Sequence, residues 1–518
     1  MALSRAWRCH TTPSAANMVA VRGWQRSPSP RSLARGQRAI LVRTMQNPST
    51  QPQPEETSEQ GKDKRLFAPA TPPIAPSDSP RPSFRSLARA QVWLVPLCLL
   101  ALAAYRAFRI AGLISTYAVN IPYLDEWDFL PFHGESWVQL FFHQHGPHRE
   151  GLGLVWQVAM LSLTGWQDKT VAYLMILLLG LATLLALLLT RLITGRLTLA
   201  DSMLVVLLLT PAQWELIFVI PHAAHSFMPL VLLLAACLAW WLPRRPARYT
   251  AVLILNFLAT FTGFGFFLAP LTLLLFVAEA IRHRDRLAFL GIAAAAGTLT
   301  AFFLGWHFDP ANPRFGHVHP ALTEYLKYAA LVTAHAIGGR GNALSVGIGA
   351  VLLLALLTVA VRQGMCLLRT DAPEPRCLFL LPAFTLLFVF NCAYGRASIS
   401  LGGALASRYV TLVLPGLVAL FLCLRLAKPP RIRRYAPWLV LALLYLPCTL
   451  LLASDRSTMA ALSKGKVLWV QAYRQTGDID RTDHTAHFKI HPNPAATHLK
   501  EKLDFLQRHG YECFARSG

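Results

Sequence analysis

The stretch TAVLILNFLATFTGFGFFLAPLTLLLFVA, Thr250–Ala278, decides how this chain is threaded. At about 1.5 Å per residue it is too long for one upright helix across an apolar layer about 30 Å thick. Thr262, Gly263 and Gly265 interrupt its middle, and glycine weakens a helix interior. RPAR at 245–248 precedes the run and RHRDR at 282–286 follows it. Basic connectors gather on the cytoplasmic side of a membrane, so flanks of one sign demand two passes between them. The run therefore reads as a hairpin of short helices, 250–262 and 264–279.

Further apolar runs lie near 92–112, 171–193, 199–217, 224–242, 287–306, 342–361, 376–393, 410–427 and 436–453, which makes about eleven transmembrane helices in all. The fold class expected is all-α, a polytopic helical membrane protein. With that count the basic connectors PRRPAR, RHRDR, Arg362–Arg376 and KPPRIRRY fall on one side with the N-terminus. The N-terminus is then cytoplasmic and the C-terminus extracytoplasmic. No internal repeat is evident, which weakens a transporter built from inverted halves.

Composition agrees. Of 518 residues, 54% are hydrophobic and only 14% are charged, against roughly a quarter in soluble domains. Forty-nine Lys and Arg against 26 Asp and Glu give a net charge of +23. The cations sit in short tracts between apolar runs, so no basic stripe on a soluble face is left for nucleic acid. The nine cysteines form no CxxC pair. Three regions follow: residues 1–90, rich in Arg, Ser, Pro and Gln, as a disordered basic cytoplasmic tail; 91–453 as the transmembrane domain, with a first outer loop at 113–170; and 454–518 as a small extracytoplasmic cap.

The outer segments hold the unusual polar chemistry. After the first span comes PYLDEWDF, with Asp125, Glu126 and Asp128. Three carboxylates in four residues repel one another unless a proton, a cation or a cationic substrate group relieves them. They suit a general base toward a hydroxyl or the ligands of a divalent metal, and the residues leave both readings open. GESWVQLFFHQHGPHREG follows, where Ser136 caps a short surface helix. The Gly146–Pro147 break spoils any helical zinc pair among His143, His145 and His148. His148 and Arg149 suit anionic oxygens better. Residues 151–165 are too short to span and read as a second surface or re-entrant helix.

Arg106 and Arg109 share a face of the first span, either snorkelling to headgroups or bordering a polar cavity. TPAQWELIFVIPHAAHSF brings Gln213, Glu215, His222 and His225 near membrane level, where ionisable groups call for a protein cavity. NCAYGRASISLGGALASRYV puts Arg396, Arg408 and Tyr409 on the outer side, against the charge bias, and an anionic ligand is the simplest reason.

In order, DEWD at 125–128, His148–Arg149, QWE at 213–215, Gly395–Arg396 and ALASRY at 404–409 resemble the elements of a large group of bacterial inner-membrane proteins. That group in turn resembles the GT-C superfamily of lipid-linked-sugar glycosyltransferases. Pro147 and the Leu216 to His222 stretch depart from the group's pattern. The resemblance implies a GT-C-like helical domain with surface helices in the first outer loop. It also implies a sugar donor on polyprenyl phosphate and a glycan, lipid or protein acceptor outside the cytoplasm. By it Asp125 is the catalytic carboxylate, Glu126 or Asp128 assists or holds a metal, and Arg149, His148, Arg396, Arg408 and Tyr409 serve the donor phosphate. Gln213 and Glu215 line the cavity. The competing classes are a transporter or flippase for lipid-linked saccharides and an O-antigen-type polymerase or ligase.

Overall fold

The computed structural model describes residues 84–130, 135–165, 167–307 and 320–509, with side chains from Trp93 onward. The N-terminal tail as far as residue 83 lies outside the described residues. Helix α1 spans Phe84–Tyr117, so it begins before the tail's expected end at residue 90. The helices α2 (Trp137–Phe141), α3 (Gly151–Thr164), α4 (Asp168–Thr194), α5 (Ser202–Leu208) and α6 (Phe227–Ala239) follow. Then come α7 (Arg245–Thr260), α8 (Leu268–His283), α9 (Arg286–Phe303), α10 (Leu322–His335), α11 (Ala343–Leu367), α12 (Pro373–Arg396), α13 (Val410–Arg425) and α14 (Pro430–Tyr445). A C-terminal trio closes the chain: α15 (Ala453–Thr476), α16 (Ile479–Ala486) and α17 (Leu499–Arg508). Among the described residues the only sheet is one hairpin, β1 (Gln144–His145) with β2 (His148–Arg149).

Seven helical segments are long and apolar enough to cross a membrane: Trp93–Tyr117, Asp168–Thr194, Gly263–His283, Arg286–Phe303, Ala343–Leu367, Pro373–Arg396 and Ser407–Arg425. The chain is an integral membrane protein by this measure. Each other expected span also holds a helix, but a shorter one, as with the 13 residues of α6 and the 16 each of α7 and α14. The Thr250–Ala278 run breaks where its glycines stand. The hydroxyl of Thr262 donates to the Ala259 carbonyl at 2.6 Å, ending α7, and Gly263 turns the chain with φ +57°.

Polar contacts divide the bundle's two ends. At one, Asp285 caps α9 through the Ala288 amide and pairs with Arg245 at 2.7 Å. There the buried Arg376 meets Glu279 and, at 2.7 Å, Asp371, while Arg282 reaches Asp371 at 2.8 Å and Arg425 reaches Asp201 at 3.1 Å. The opposite end gathers the first loop, the ends of α5, α9 and α12, and the C-terminal trio. Arg106 neither snorkels nor faces a cavity. It is 3% exposed and donates to the carbonyls of Leu209 and Cys448 at 3.0 and 2.9 Å, tying α1 to two other segments.

Glu279 also accepts from the Tyr249 hydroxyl at 2.6 Å, so it joins α7, α8 and α12. Breaking a buried pair from one side strands the other charge, which costs about 3–5 kcal/mol, whereas removing both charges costs far less. Glu279→Ala is expected to lower the unfolding temperature in detergent strongly. The double replacement Glu279→Leu with Arg376→Leu should recover most of that loss.

Candidate functional site

The acidic turn is a tight helical turn, Leu124–Trp127, entered by Leu124 at φ +51°. It sends one of its three carboxylates inward and the other two to a common surface. Glu126 turns inward, 6% exposed, and its Oε2 accepts from the Tyr123 amide at 2.8 Å. Burial and the nearby Asp168 push its carboxyl well above the ordinary range, with Lys466 opposing. Glu126 is thus separated from its neighbours, while Asp125 and Asp128 face the half-buried surface beside His145. The donor atoms of Asp125, Asp128 and His145 lie within 4.8 Å of one another, a set that could hold a metal ion. Asp128 Oδ2 is 3.9 Å from His145 Nδ1 and 3.6 Å from His491 Nε2. Burial works against its charge, but hydrogen bonds from His491 and Thr497 draw the carboxyl down to about 2. Asp128 is an anion throughout the physiological range.

His145 and His148 sit on a two-residue-per-strand hairpin rather than a helix, with Gly146 at φ +56° in the turn and the two histidines opposite one another. Arg149 fastens this hairpin. Its guanidinium donates to the Phe302 carbonyl at 2.7 Å and to the carbonyls of Phe142 and Leu304, with 4% of the residue exposed. The side chain expected to grip a phosphate is therefore engaged with α9 and the residues after it. Gln144 adds a second tie by accepting from the His307 amide at 3.1 Å.

His148 packs against Phe264, ring centroids 4.4 Å apart, and burial with the charge of His225 lowers its imidazole to about 3. Beside it, the fully buried Glu150 pairs with His225, Oε1 to Nε2 at 2.7 Å. His222 lies 4.5 Å from His225 ring to ring, and 4.3 Å from Phe129. The segment carrying both histidines precedes α6, and α3 approaches it closely because a β-carbon on Gly153 would fall 2.0 Å from that of Ala224. The cluster of His145, His148, His222 and His225 around one buried carboxylate was not legible as a unit. His222–His225 and the hairpin are far apart in sequence, and the Glu150–His225 pair and the close glycine contacts that join them arise only in the fold.

The QWE and SRY elements do meet. The Glu215 amide donates to Ser407 Oγ at 3.0 Å, Glu215 Oε2 accepts from the Arg408 amide at 3.3 Å, and Arg408 Nη1 lies 3.3 Å from Glu215 Oε1. The Arg408 side chain stays 39% exposed, standing 5.7 Å from the Tyr409 ring. Tyr409 is buried, and Arg396 is exposed, its side chain making no hydrogen bond or ion pair among the described residues. Gln213 is fully buried and donates to the Leu208 and Thr210 carbonyls at 2.9 and 3.3 Å, so it secures its own turn instead of lining a cavity.

The C-terminal trio covers the acidic turn. The Leu124 amide donates to the Ile490 carbonyl at 3.0 Å, Phe488 stacks on Tyr123 at 5.4 Å, and Lys502, 4% exposed, donates to the Trp127 carbonyl. Lys466 donates to the Val219 carbonyl at 2.7 Å near Glu126. His491 is set by the Asn493 amide, which donates to its Nδ1 at 3.1 Å, leaving Nε2–H for Asp128. These three residues escaped the sequence reading. The HPNP element at 491–494, two prolines around a turn, was the only local hint of a fixed conformation.

Compared with known proteins, the chain matches no protein-family model, no curated protein and no solved structure.

Burial lowers the Lys502 ammonium to about 8 while Asp128 opposes, so the trio is held by a charge that is costly to bury. Lys502→Ala removes the donor to Trp127, and losing a hydrogen bond from a charged group costs about 1.5–3 kcal/mol. Hydrogen exchange is expected to quicken across residues 121–130 and 488–506, with α11 and α12 unchanged.

Proposed function

We propose that the protein is a membrane glycosyltransferase of GT-C type in a bacterial inner membrane. It moves a sugar from a polyprenyl-phosphate-type donor to a glycan, lipid or protein acceptor on the extracytoplasmic side. The observation that carries this reading is the convergence, at one end of an apolar bundle, of an anionic turn with Asp125 and Asp128 and a cationic element with Arg408 held by Glu215. The opposite end carries the basic connectors, which the positive-inside bias assigns to the cytoplasm. Nucleotide sugars stay in the cytoplasm, so a transferase working outside needs a sugar on a lipid carrier.

In this reading Asp125 takes the proton of the acceptor hydroxyl and Asp128, fixed by His491, keeps the turn anionic. Arg408 and Arg396 face the donor phosphate, where preorganised cations stabilise the charge that develops as the sugar leaves. Glu215 orients Arg408 without covering it. Arg149, Glu126 and Gln213 serve as supports for these groups rather than as contacts to substrate.

Two substitutions test the assignment with a polyprenyl-monophosphate hexose in reconstituted vesicles. Asp125→Asn should lower transfer by about 10²–10⁴-fold while leaving donor binding intact. Full turnover in that variant would remove Asp125 as base and favour a carrier that moves the lipid-linked sugar unchanged. Arg408→Lys keeps the charge but loses the planar fork, so binding and transfer should both fall clearly. A lysine that substitutes freely would reduce Arg408 to a headgroup contact.

A further inference from the structure

We propose that His225, oriented by the buried Glu150, is the general acid of this transfer, giving its Nδ1 proton to the phosphate oxygen that leaves the sugar. The inference rests on the glycosyltransferase reading and adds to it a residue that the five sequence elements do not contain.

Glu150 is 0% exposed, and among the described residues its carboxylate hydrogen-bonds only to His225 Nε2, at 2.7 Å. An isolated carboxylate at such a place would take up a proton, because burying an unpaired charge costs far more than protonating it. The imidazole supplies the compensation. It also acquires a fixed direction, as a histidine does when one ring nitrogen donates to a buried carboxylate.

Three glycines make this arrangement possible. A β-carbon on Gly151 would sit 2.2 Å from the Phe261 carbonyl oxygen, one on Gly153 would strike Ala224, and one on Gly263 would lie 2.6 Å from His225 Cδ2. Any of them would push His225 away from Glu150.

The second ring nitrogen of His225 is free for chemistry. Its Nδ1 makes no hydrogen bond among the described residues, and 15% of the side chain is exposed. The neighbouring imidazoles are less suited. His222 Nδ1 already accepts from the His225 amide at 3.3 Å, and burial with the His225 charge holds His222 near 3 and His148 likewise near 3.

The groups facing His225 come from four elements. They are Glu150 at the start of α3, His145 and His148 on the hairpin, Asp125 on the acidic turn and Arg408 on the SRY element, with His222 on its own segment. Burial lowers its imidazole, but the charge and hydrogen bond of Glu150, aided by Asp125, raise it above the ordinary value against Arg408.

The step balances with Asp125 as partner. The acceptor oxygen bonds to the sugar's anomeric carbon and its proton passes to Asp125. The bond from that carbon to the phosphate oxygen breaks, its electron pair stays on the oxygen, and this oxygen takes the proton from His225 Nδ1. Exchange with solvent then returns Asp125 and His225 to their starting states, with no net gain or loss of protons.

A general acid matters most for a poor leaving group, which gives the test. Wild-type protein and the variants His225→Gln and Glu150→Gln are reconstituted with a polyprenyl-monophosphate hexose or with its diphosphate counterpart, whose leaving group spreads charge better. His225→Gln should lose about 10²–10⁴-fold with the monophosphate and about tenfold or less with the diphosphate. Wild-type transfer should fall as pH rises through the His225 titration, and Glu150→Gln should move that fall to lower pH. Equal losses with both donors, or a high-pH limb that survives in His225→Gln, would overturn the acid role and leave the transferase reading standing. If only the monophosphate is a substrate, the pH limb alone decides. Wild-type protein that transfers from neither donor would overturn the transferase reading itself, and the acid role with it.

Discussion

A charge in an apolar helix bundle survives only where another group meets it, and this constraint sorts the whole molecule. The ionic side chains that can be buried are pushed to the two ends, and each end meets its charges differently. One uses arginine: Arg376, Arg282 and Arg245 against Glu279, Asp371 and Asp285. The other keeps one arginine pair, Arg408 with Glu215, and otherwise uses histidine and lysine against the acidic turn and Glu150.

That choice separates a fixed end from one able to exchange protons. Guanidinium stays charged at any pH the protein meets, so the arginine pairs lock α7, α8 and α12 permanently. Imidazole changes charge within the physiological range and is sensitive to its surroundings. Placed against a fully buried carboxylate, as in His225 with Glu150, it becomes a proton-carrying group. Buried beside the charge of His225, as His148 is, it becomes neutral. The same residue type thus serves two purposes 5.8 Å apart.

Much of the fold was legible because it follows from hydropathy and from glycine and proline. The break at Thr262–Gly263, the Ser136 cap, where the Gln139 amide donates to Ser136 Oγ at 3.3 Å, and the short helix after Glu150 all appear where local pattern placed them. The meeting of DEWD, QWE and SRY elements at one end was legible too, from charge sidedness. What pattern could not supply was direction. Arg149 and Gln213 look like ligands when read as residue types, but each turns toward backbone carbonyls that helix ends left unpaired. Glu126 and Asp128 are two residues apart, yet one points into the core and one to the surface, because a tight helical turn rotates successive side chains.

The C-terminal trio was expected only as a small cap, and its contacts make it part of the site instead. The acidic turn has its charges met by Lys466, His491 and Lys502, all more than 300 residues away in sequence. Without them, Glu126 and Asp168 would face each other with no ammonium and Asp128 would lack the His491 imidazole. Buried carboxylates without partners are costly, so the closed form of the turn depends on the cations of the trio. The arginine end thus pairs charges carried by the bundle's own helices, while the proton-exchanging end depends on cations from a segment distant in sequence.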